Sequence, residues 1–274
     1  MTISSATTLV LGGTGKTGRR VARRLSARGL SVRVASRSGS APFDWADRNS
    51  WPRALAGVGA LYLAYYPDLA APGAAADVRH LSELAVASGV RRIVLLSGRG
   101  EQAVLPSEQA VRDCGAAFTI LRCAFFCQNF SEGLLAPLPN GDIVFPAGSV
   151  AEPFVDADDI ADVALAALTD ESHDGEIYEL TGPRLLTFAQ AASEIARASQ
   201  RAIRYVPVSL SDYAATLREY VPAEFAEFLT ALFSEVLDGH NAHLSDGIER
   251  VLQRKPRDFS EYARAAARAG AWKS

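Results

Sequence analysis

Short apolar runs alternate with helical patterns over the N-terminal part of the chain. The runs have the length and β-branched content of buried strands, and they lie at residues 8–11, 30–36, 59–65, 92–97 and 117–121. A helical pattern at residues 75–88 places Val78, Leu81 and Ala85 on one face, and Pro106 suits the first turn of the next helix. This alternation predicts an α/β fold with a doubly wound parallel sheet covered by helices on both faces.

The pattern becomes less regular after residue 122. The elements predicted there are a helix capped by Asp156 or Asp158, a strand at residues 175–180, a helix opened by a capping box of Thr187 and Gln190, and an aromatic-rich helix at residues 222–237. This mixture of short strands and helices is typical of a region that covers one edge of a sheet and forms a pocket there.

Three glycines at a spacing of three residues follow the first apolar run. Gly12, Gly15 and Gly18 suit a tight turn, a close approach of the backbone to phosphate, and close packing of a helix on a strand. A helix that begins here also offers unpaired amides and a partial positive charge to an anion. We predict a dinucleotide-binding loop formed by Gly12, Thr14, Gly15, Lys16, Thr17 and Gly18.

The same loop must be distinguished from a phosphate-binding P-loop, because Gly15-Lys16-Thr17 resembles the end of that motif. A P-loop has a glycine five residues before its Gly-Lys pair, where this chain has Val10. The helix that follows favours the dinucleotide interpretation, because Gly18 shares an inward face with Val21, Ala22 and Leu25. The outward face is predicted to carry Arg19, Arg20, Arg23, Arg24 and Arg28.

The second predicted strand ends in Ser36-Arg37-Ser38. A site that prefers NAD usually has an Asp or Glu about twenty residues after the glycines, where it binds the ribose 2′-hydroxyl, and this chain has no acid there. Arg37 would instead pair with a 2′-phosphate, so we predict NADP(H) as the cofactor. The alternative, in which Arg37 is an ordinary solvated loop arginine, stays open.

Composition limits the other partners. A net charge of −3 argues against nucleic acid or an anionic membrane as the main partner. No apolar run reaches membrane-spanning length, and residues 1–5 lack the basic start of a secretory signal, so we expect a cytoplasmic protein. Cys114, Cys123 and Cys127 are then expected to be reduced thiols, and without nearby histidines they predict no metal site.

Several motifs occur together in a specific order, and each is short on its own. They are Gly12-Gly-Thr-Gly-Lys-Thr-Gly18, Val34-Ala-Ser-Arg37, Phe43-Asp-Trp45, Arg91-Arg-Ile-Val-Leu-Leu-Ser97, Leu121-Arg-Cys-Ala-Phe-Phe-Cys-Gln-Asn-Phe130 and Pro153-Phe-Val-Asp-Ala-Asp-Asp-Ile160. In these the chain resembles the NmrA-like atypical short-chain dehydrogenases/reductases, and more narrowly the reductases of ergot-alkaloid biosynthesis, over nearly its full length. The resemblance implies a Rossmann-type NADP(H)-binding core at residues 1–122. It also implies a smaller mixed α/β substrate-binding region at residues 123–274, which returns a helix and a strand to the core.

The resemblance also implies roles for individual positions. Asp44 would lie near the adenine, Ala64 would line the cofactor, Ser97 would lie beside the nicotinamide ribose, and Cys123 would begin the segment that flanks the nicotinamide. Structural alternatives stay open for these positions. Asp44 would then cap a turn, Ser97 would satisfy backbone groups, and the phenylalanines near Cys123 would belong to the core.

The proton-donating pair of most short-chain dehydrogenases is missing. In those enzymes a Lys four residues after a Tyr lowers the tyrosine pKa, but here no Tyr has a Lys at that distance, and no lysine lies between residues 17 and 254. Catalytic residues are therefore unassigned, and Tyr65, Tyr66, Ser97, water and the substrate itself stay open as proton sources. The absence of the tyrosine–lysine pair favours an electron-poor substrate, such as an iminium ion, a quinone or a conjugated C=N or C=C bond.

The expected function is thus an NADP(H)-dependent reductase of a small, planar or aromatic molecule. Its predicted substrate pocket consists of Tyr65, Tyr66, Phe125, Phe126 and Phe154. The alternative is a non-catalytic NmrA-like redox sensor that binds NADP(H) and a protein partner. The helix at residues 222–237 would pack either inside the chain or against a second copy in a homodimer, and both arrangements stay open.

Overall fold

The computed structural model describes residues 7–37 and 41–273, so Ser38 and residues 1–5 discussed above lie outside it. The strands are β1 (Thr7–Val10), β2 (Val32–Ser36), β3 (Ala41–Pro42), β4 (Val58–Leu63), β5 (Arg92–Gly98), β6 (Ala117–Cys123), β7 (Asp142–Phe145), β8 (Ala151–Glu152), β9 (Glu176–Leu180), β10 (Leu186–Thr187) and β11 (Arg204–Pro207). The helices are α1 (Gly18–Ala27), α2 (Trp51–Leu55), α3 (Ala74–Ala87), α4 (Leu105–Asp113), α5 (Asn129–Glu132), α6 (Ala157–Thr169), α7 (Phe188–Ser199), α8 (Leu210–Tyr220), α9 (Ala223–Val236), α10 (Gly247–Leu252) and α11 (Phe259–Arg268). Short 3₁₀ turns occupy Arg48–Ser50, Gln102–Val104 and Glu171–His173.

A seven-stranded parallel sheet forms the centre, with strand order β3-β2-β1-β4-β5-β6-β9. The chain runs outward from β1 to β3 and then returns to β4 on the other side of β1. This change of direction opens a crevice at the carboxyl ends of β1 and β4, which is where doubly wound sheets bind their ligands. The predicted fold class is confirmed.

Helices cover both faces of the sheet. One face packs against α2, α3 and α4 through a cluster that includes Trp51, Val78 and Val111. The other face packs against α1 and α6, with Leu25 and Ile160 among the buried contacts. Helix α6 and strand β9 thus return to the sheet from the later part of the chain, and α10 contacts both of them. The domain boundary at residue 122 stays a prediction.

The local signals within these elements work as expected. Gly18, Val21, Ala22 and Leu25 are the buried residues of α1. The Asp156 side chain caps α6 by accepting a hydrogen bond from the Asp158 amide, and Thr187 and Gln190 form both hydrogen bonds of a capping box at α7. These contacts are local in sequence, which is why the pattern of the chain predicts them.

The outward arginine face predicted for α1 is partly wrong. The side chains of Arg20 and Arg24 are only 14% and 15% exposed, because α1 packs beside α6 and α5. Arg24 contacts Asp158 Oδ1 at 2.8 Å and Asp162 Oδ1 at 2.5 Å. Burial alone would raise the pKa of both aspartates, but the hydrogen bonds and positive charge of Arg24 lower it, so both carboxylates stay ionised.

Asp159, in the first turn of α6, is buried although it is a charged residue. Its side chain is completely buried and accepts hydrogen bonds from Arg254 Nη2 at 2.6 Å, from the Arg257 amide at 2.7 Å and from the Arg257 guanidinium. Both arginines also contact Asp162. This network connects α6 to the segment that precedes α11, across more than ninety residues of sequence.

A separate aromatic core lies outside the sheet. It joins β7, α7, α9 and α11, and its largest buried members are Phe130, Phe145, Phe154, Phe188 and Phe259. Neighbouring rings meet mostly edge to face at centroid distances of 5 to 6 Å, as in the pairs Phe130–Phe154 and Phe145–Phe233. This core holds α9 over the carboxyl edge of the sheet.

Candidate active site

The glycine loop between β1 and α1 is tightly built. Gly12 has a left-handed φ of +63°, and a β-carbon there would lie 3.1 Å from Ala64 Cβ. A β-carbon on Gly18 would overlap the Gly12 carbonyl oxygen and come within 2.9 Å of Gly13 Cα. The loop therefore requires glycine at these two positions for its turn and for the approach of α1. It also lies directly beside Ala64, at the end of β4.

The start of α1 presents groups that suit an anion. The amides of Lys16 and Thr17 have no hydrogen-bond acceptor within residues 7–37 and 41–273, and α1 carries no acidic residue in its first turn. Thr14 and Gly15 are exposed above them. The loop, the free amides and the helix dipole together fit a pyrophosphate, which is the group that this arrangement binds in dinucleotide sites.

Arg37 and Asp44 lie at the end of the neighbouring strands. Arg37 is exposed directly after β2, and its guanidinium carbon is 5.8 Å from the centre of the Tyr66 ring. Asp44 follows β3, and its Oδ1 accepts a hydrogen bond from the Ala46 amide at 3.0 Å, as the turn-capping alternative expects. Both residues lie at the carboxyl edge of the sheet, on the side of the crevice. Their roles in cofactor binding stay predictions.

A cavity of about 520 Å³ extends from the glycine loop along the carboxyl edge of the sheet. Lys16 lies at its loop side, where Nζ donates a hydrogen bond to Asn129 Oδ1 at 2.9 Å. The ends of β5 and β6 contribute Ser97 and Cys123, whose strands pair in register. Burial raises the pKa of the Cys123 thiol, so it stays protonated and unreactive.

The aromatic side of the cavity corrects part of the predicted pocket. Tyr65, Phe125 and Phe126 line it, but Phe154 is buried in the aromatic core against Phe130, Phe188 and Phe259. Tyr66 does not line the cavity either; it is 65% exposed beside Arg37. The spacing of apolar residues predicts that Phe154 faces inward. Whether it faces the cavity or the aromatic core depends on α7 and α11, which are distant in sequence.

Helix α9 closes the cavity on the far side, which the sequence did not predict. Its lining residues are Phe225, Leu229, Leu232, Phe233 and Val236. This face packs inside the chain. Formation of a homodimer stays a prediction.

Two of the proton sources left open by the sequence already donate elsewhere. The Tyr65 hydroxyl donates to Asp77 Oδ2 at 2.9 Å, and burial raises its pKa. The buried Ser97 hydroxyl donates to Glu108 Oε1 at 2.7 Å, and Glu108 in turn accepts hydrogen bonds from Arg122. Both hydroxyls therefore point their hydrogens away from the cavity's centre and toward fixed carboxylates.

Three acidic residues in the cavity wall were missed by the sequence analysis. Asp68 follows β4, Glu101 follows β5, and Glu152 lies in β8. Burial raises the pKa of Asp68, and it raises the pKa of Glu152 to about 7. The available signal was the position of Asp68 and Glu101 just beyond two parallel strands, whose carboxyl ends meet at one edge.

Comparison with known proteins identifies the family. No protein-family model matches the sequence. The uncharacterized oxidoreductase YesF of Bacillus subtilis is 33% identical, over 97% of this chain and 96% of YesF. Festuclavine dehydrogenase easG of Aspergillus fumigatus is 31% identical, over 94% of this chain and 96% of that protein.

The chain belongs to the NmrA-like family of atypical short-chain dehydrogenases/reductases. It is an oxidoreductase of that family, as predicted. The NADPH-dependent quinone oxidoreductase QOR2 of Escherichia coli, solved with NADPH, shares the fold with a TM-score of 0.73 and 22% identity, over 94% of this chain and 98% of QOR2. Within the described part of this family member, no helix is long and apolar enough to cross a membrane.

Proposed function

We propose that this oxidoreductase binds NADP(H) along the crevice and transfers a hydride to a small, electron-poor, planar substrate in the cavity. The observation that carries the proposal is that the glycine loop and the aromatic pocket open into one cavity. One cavity reaches from Lys16 beside the glycine loop to Ser97 and Cys123 at the strand ends, and continues to Phe125 and Phe126. A dinucleotide laid along this path would place its nicotinamide beside the aromatic wall.

NADPH, when bound, supplies the hydride. The protein's own contribution is to bind, orient and exclude water. The loop amides hold the pyrophosphate, and Arg37 is suited to the 2′-phosphate because no acid competes for it at the end of β2. Phe125, Phe126 and α9 form an apolar wall against which a flat substrate would stack. Iminium ions, quinones and conjugated C=N or C=C bonds fit this arrangement.

The relatives are consistent with this chemistry. QOR2 is named as an NADPH-dependent quinone oxidoreductase and easG as a festuclavine dehydrogenase, so both are named for redox reactions of small molecules. The redox-sensor alternative shares the same cofactor site, and only turnover distinguishes it. The extension of the cavity beyond the strand ends to Phe125, Phe126 and α9 favours the enzyme, because a sensor needs no space beside the nicotinamide.

The cofactor assignment is tested by replacing Arg37 with alanine. We expect Arg37→Ala to weaken NADPH binding about 10- to 100-fold, since a hydrogen bond to a charged group contributes about 1.5–3 kcal/mol, and to leave NADH binding unchanged. Titration followed by nicotinamide fluorescence measures both affinities. Arg79→Ala, at an exposed arginine of α3, is the matched control. Equal affinities for NADPH and NADH in the wild type, unaffected by Arg37→Ala, would remove the NADP(H) preference.

A further inference from the structure

Three acidic side chains in the cavity wall have no basic partner among the described residues. Most described arginines form ion pairs, but none of the described basic groups lies within 4.0 Å of the carboxylates of Asp68, Glu101 or Glu152. The two basic residues of the cavity wall are engaged elsewhere: Lys16 with Asn129 and Arg99 with Glu179. Glu152 is 1% exposed, and its Oε1 has no hydrogen-bond partner within the described residues. This carboxyl oxygen is therefore available to a bound ligand.

Glu101 lies at the ends of the strands. Its carboxyl group folds back over Gly98, the last residue of β5, so that a β-carbon on Gly98 would lie 2.5 Å from Glu101 Oε2 and nearer still to Oε1. Gly98 pairs in register with Cys123 at the end of β6. The carboxyl group therefore occupies the junction of the two strands between which family resemblance places the nicotinamide.

The groups around Glu101 disfavour its ionised form. Burial is the largest cause, and the negative charges of Asp68, Glu235 and Glu108 add to it, so that the pKa of Glu101 rises to about 8. Glu108 is partly neutralised by Arg122, and Glu235 accepts a hydrogen bond from the Gln102 amide. The Cys123 thiol on the facing strand is neutral. Glu101 is therefore a protonated acid near neutral pH.

We propose that Glu101 is the proton donor of this reductase, acting on the oxygen or nitrogen of a conjugated substrate as hydride reaches the other end of the π system. This inference rests on the proposed function. The hydride brings two electrons to the electrophilic atom, and the π pair moves to the heteroatom. That atom takes the carboxylic proton of Glu101, and solvent then reprotonates the carboxylate.

The proposal divides substrates into two classes. A quinone or an enone gains a negative charge when it accepts hydride, so it needs a proton as well. A cationic iminium ion becomes neutral on accepting hydride and needs none. Glu101 should therefore matter for the first class alone, whereas a residue that merely shapes the cavity would affect both.

The test compares Glu101→Gln with the wild type on a quinone and on a cationic iminium compound. We expect the variant to lose about 100-fold in kcat on the quinone, a typical contribution of general acid catalysis, and to change little on the iminium compound. The wild-type kcat on the quinone should fall as the pH rises through about 8, because the acid must be protonated, and the variant should lack this fall. Glu249→Gln, at an exposed glutamate of α10, is the control.

A spectroscopic readout tests the same acid without turnover. The infrared carbonyl band of a protonated carboxyl should be present at pH 7 in the wild type and in Glu249→Gln, and should be weaker in Glu101→Gln. Both variants should still bind NADPH.

Two results would overturn the assignment of Glu101. One is unchanged quinone turnover in Glu101→Gln, and the other is an equal loss on both substrates with NADPH still bound. If the wild type binds NADPH but oxidises it with neither substrate, the proposed function itself fails. That outcome is distinct from a working reductase in which Glu101 is dispensable.

Discussion

Replacing Gly18 with alanine is expected to weaken NADPH binding by about 100-fold or more, because the loop amides lose their positions toward the pyrophosphate, and each hydrogen bond to a charged group contributes about 1.5–3 kcal/mol. The added β-carbon would lie 2.7 Å from the carbonyl carbon of Gly12 and 2.9 Å from Gly13 Cα. These are backbone atoms, so α1 and the turn must move apart, and the free amides of Lys16 and Thr17 move with them. Overpacking of this kind should also lower the free energy of unfolding by about 1–3 kcal/mol.

The matched control for this variant is Gly89→Ala. Gly89 has a φ of +99°, and a β-carbon there meets no atom within 4 Å, so alanine introduces backbone strain without a clash. We expect it to reduce stability by about 1–2 kcal/mol and to leave NADPH affinity unchanged. Affinities from fluorescence titration and stabilities from urea unfolding separate the two effects. Wild-type affinity in Gly18→Ala would show that the glycine loop does not hold the cofactor.

The second large effect is expected at Asp159. Asp159→Asn should lower the free energy of unfolding by about 2–3 kcal/mol, since hydrogen bonds to a charged group contribute about 1.5–3 kcal/mol, while Arg254 and Arg257 are about a third exposed and keep their contacts with Asp162. Asp159 is completely buried and accepts hydrogen bonds from Arg254 and from both the backbone and the side chain of Arg257. Weakening these hydrogen bonds would loosen the contact between α6 and the segment that precedes α11.

Urea unfolding measures this effect, and Glu176→Gln provides the comparison. Glu176 pairs with Arg250 at 3.1 Å on the surface, where both side chains are well exposed. An exposed pair contributes at most about 1 kcal/mol, so this substitution should change stability little. Similar small losses in the two variants would contradict the interpretation of the Asp159 network as a structural connection.

The sequence predicted those features that depend on neighbours along the chain. The doubly wound parallel sheet follows from the alternation of strands and helices, and the inward face of α1 follows from its period. The capping box at Thr187 and the glycine loop are likewise encoded within a few residues. In each case the signal lies in a short stretch of the chain.

Features that depend on distant partners were mispredicted or missed. Arg24 and Asp159 have the sequence pattern of surface charges, and only the packing of α6 against α1 and the Arg254–Arg257 segment buries them. Phe154 has the pattern of a pocket residue, but α7 and α11 enclose it in a core. Glu101 and Glu152 line the same cavity although about fifty residues of sequence separate them. Such side chains carry no local signal of their partners.

Hydride transfer itself is the central claim, and isotope transfer tests it most directly. The protein would be incubated with a cationic iminium compound and with each of the two forms of NADPH that carry deuterium on one face of C4. The proposed function predicts that deuterium from one form, and not from the other, appears on carbon in the product. Tight binding of NADPH without transfer of deuterium from either form, to this substrate or to other electron-poor acceptors, would contradict it and would favour the redox sensor.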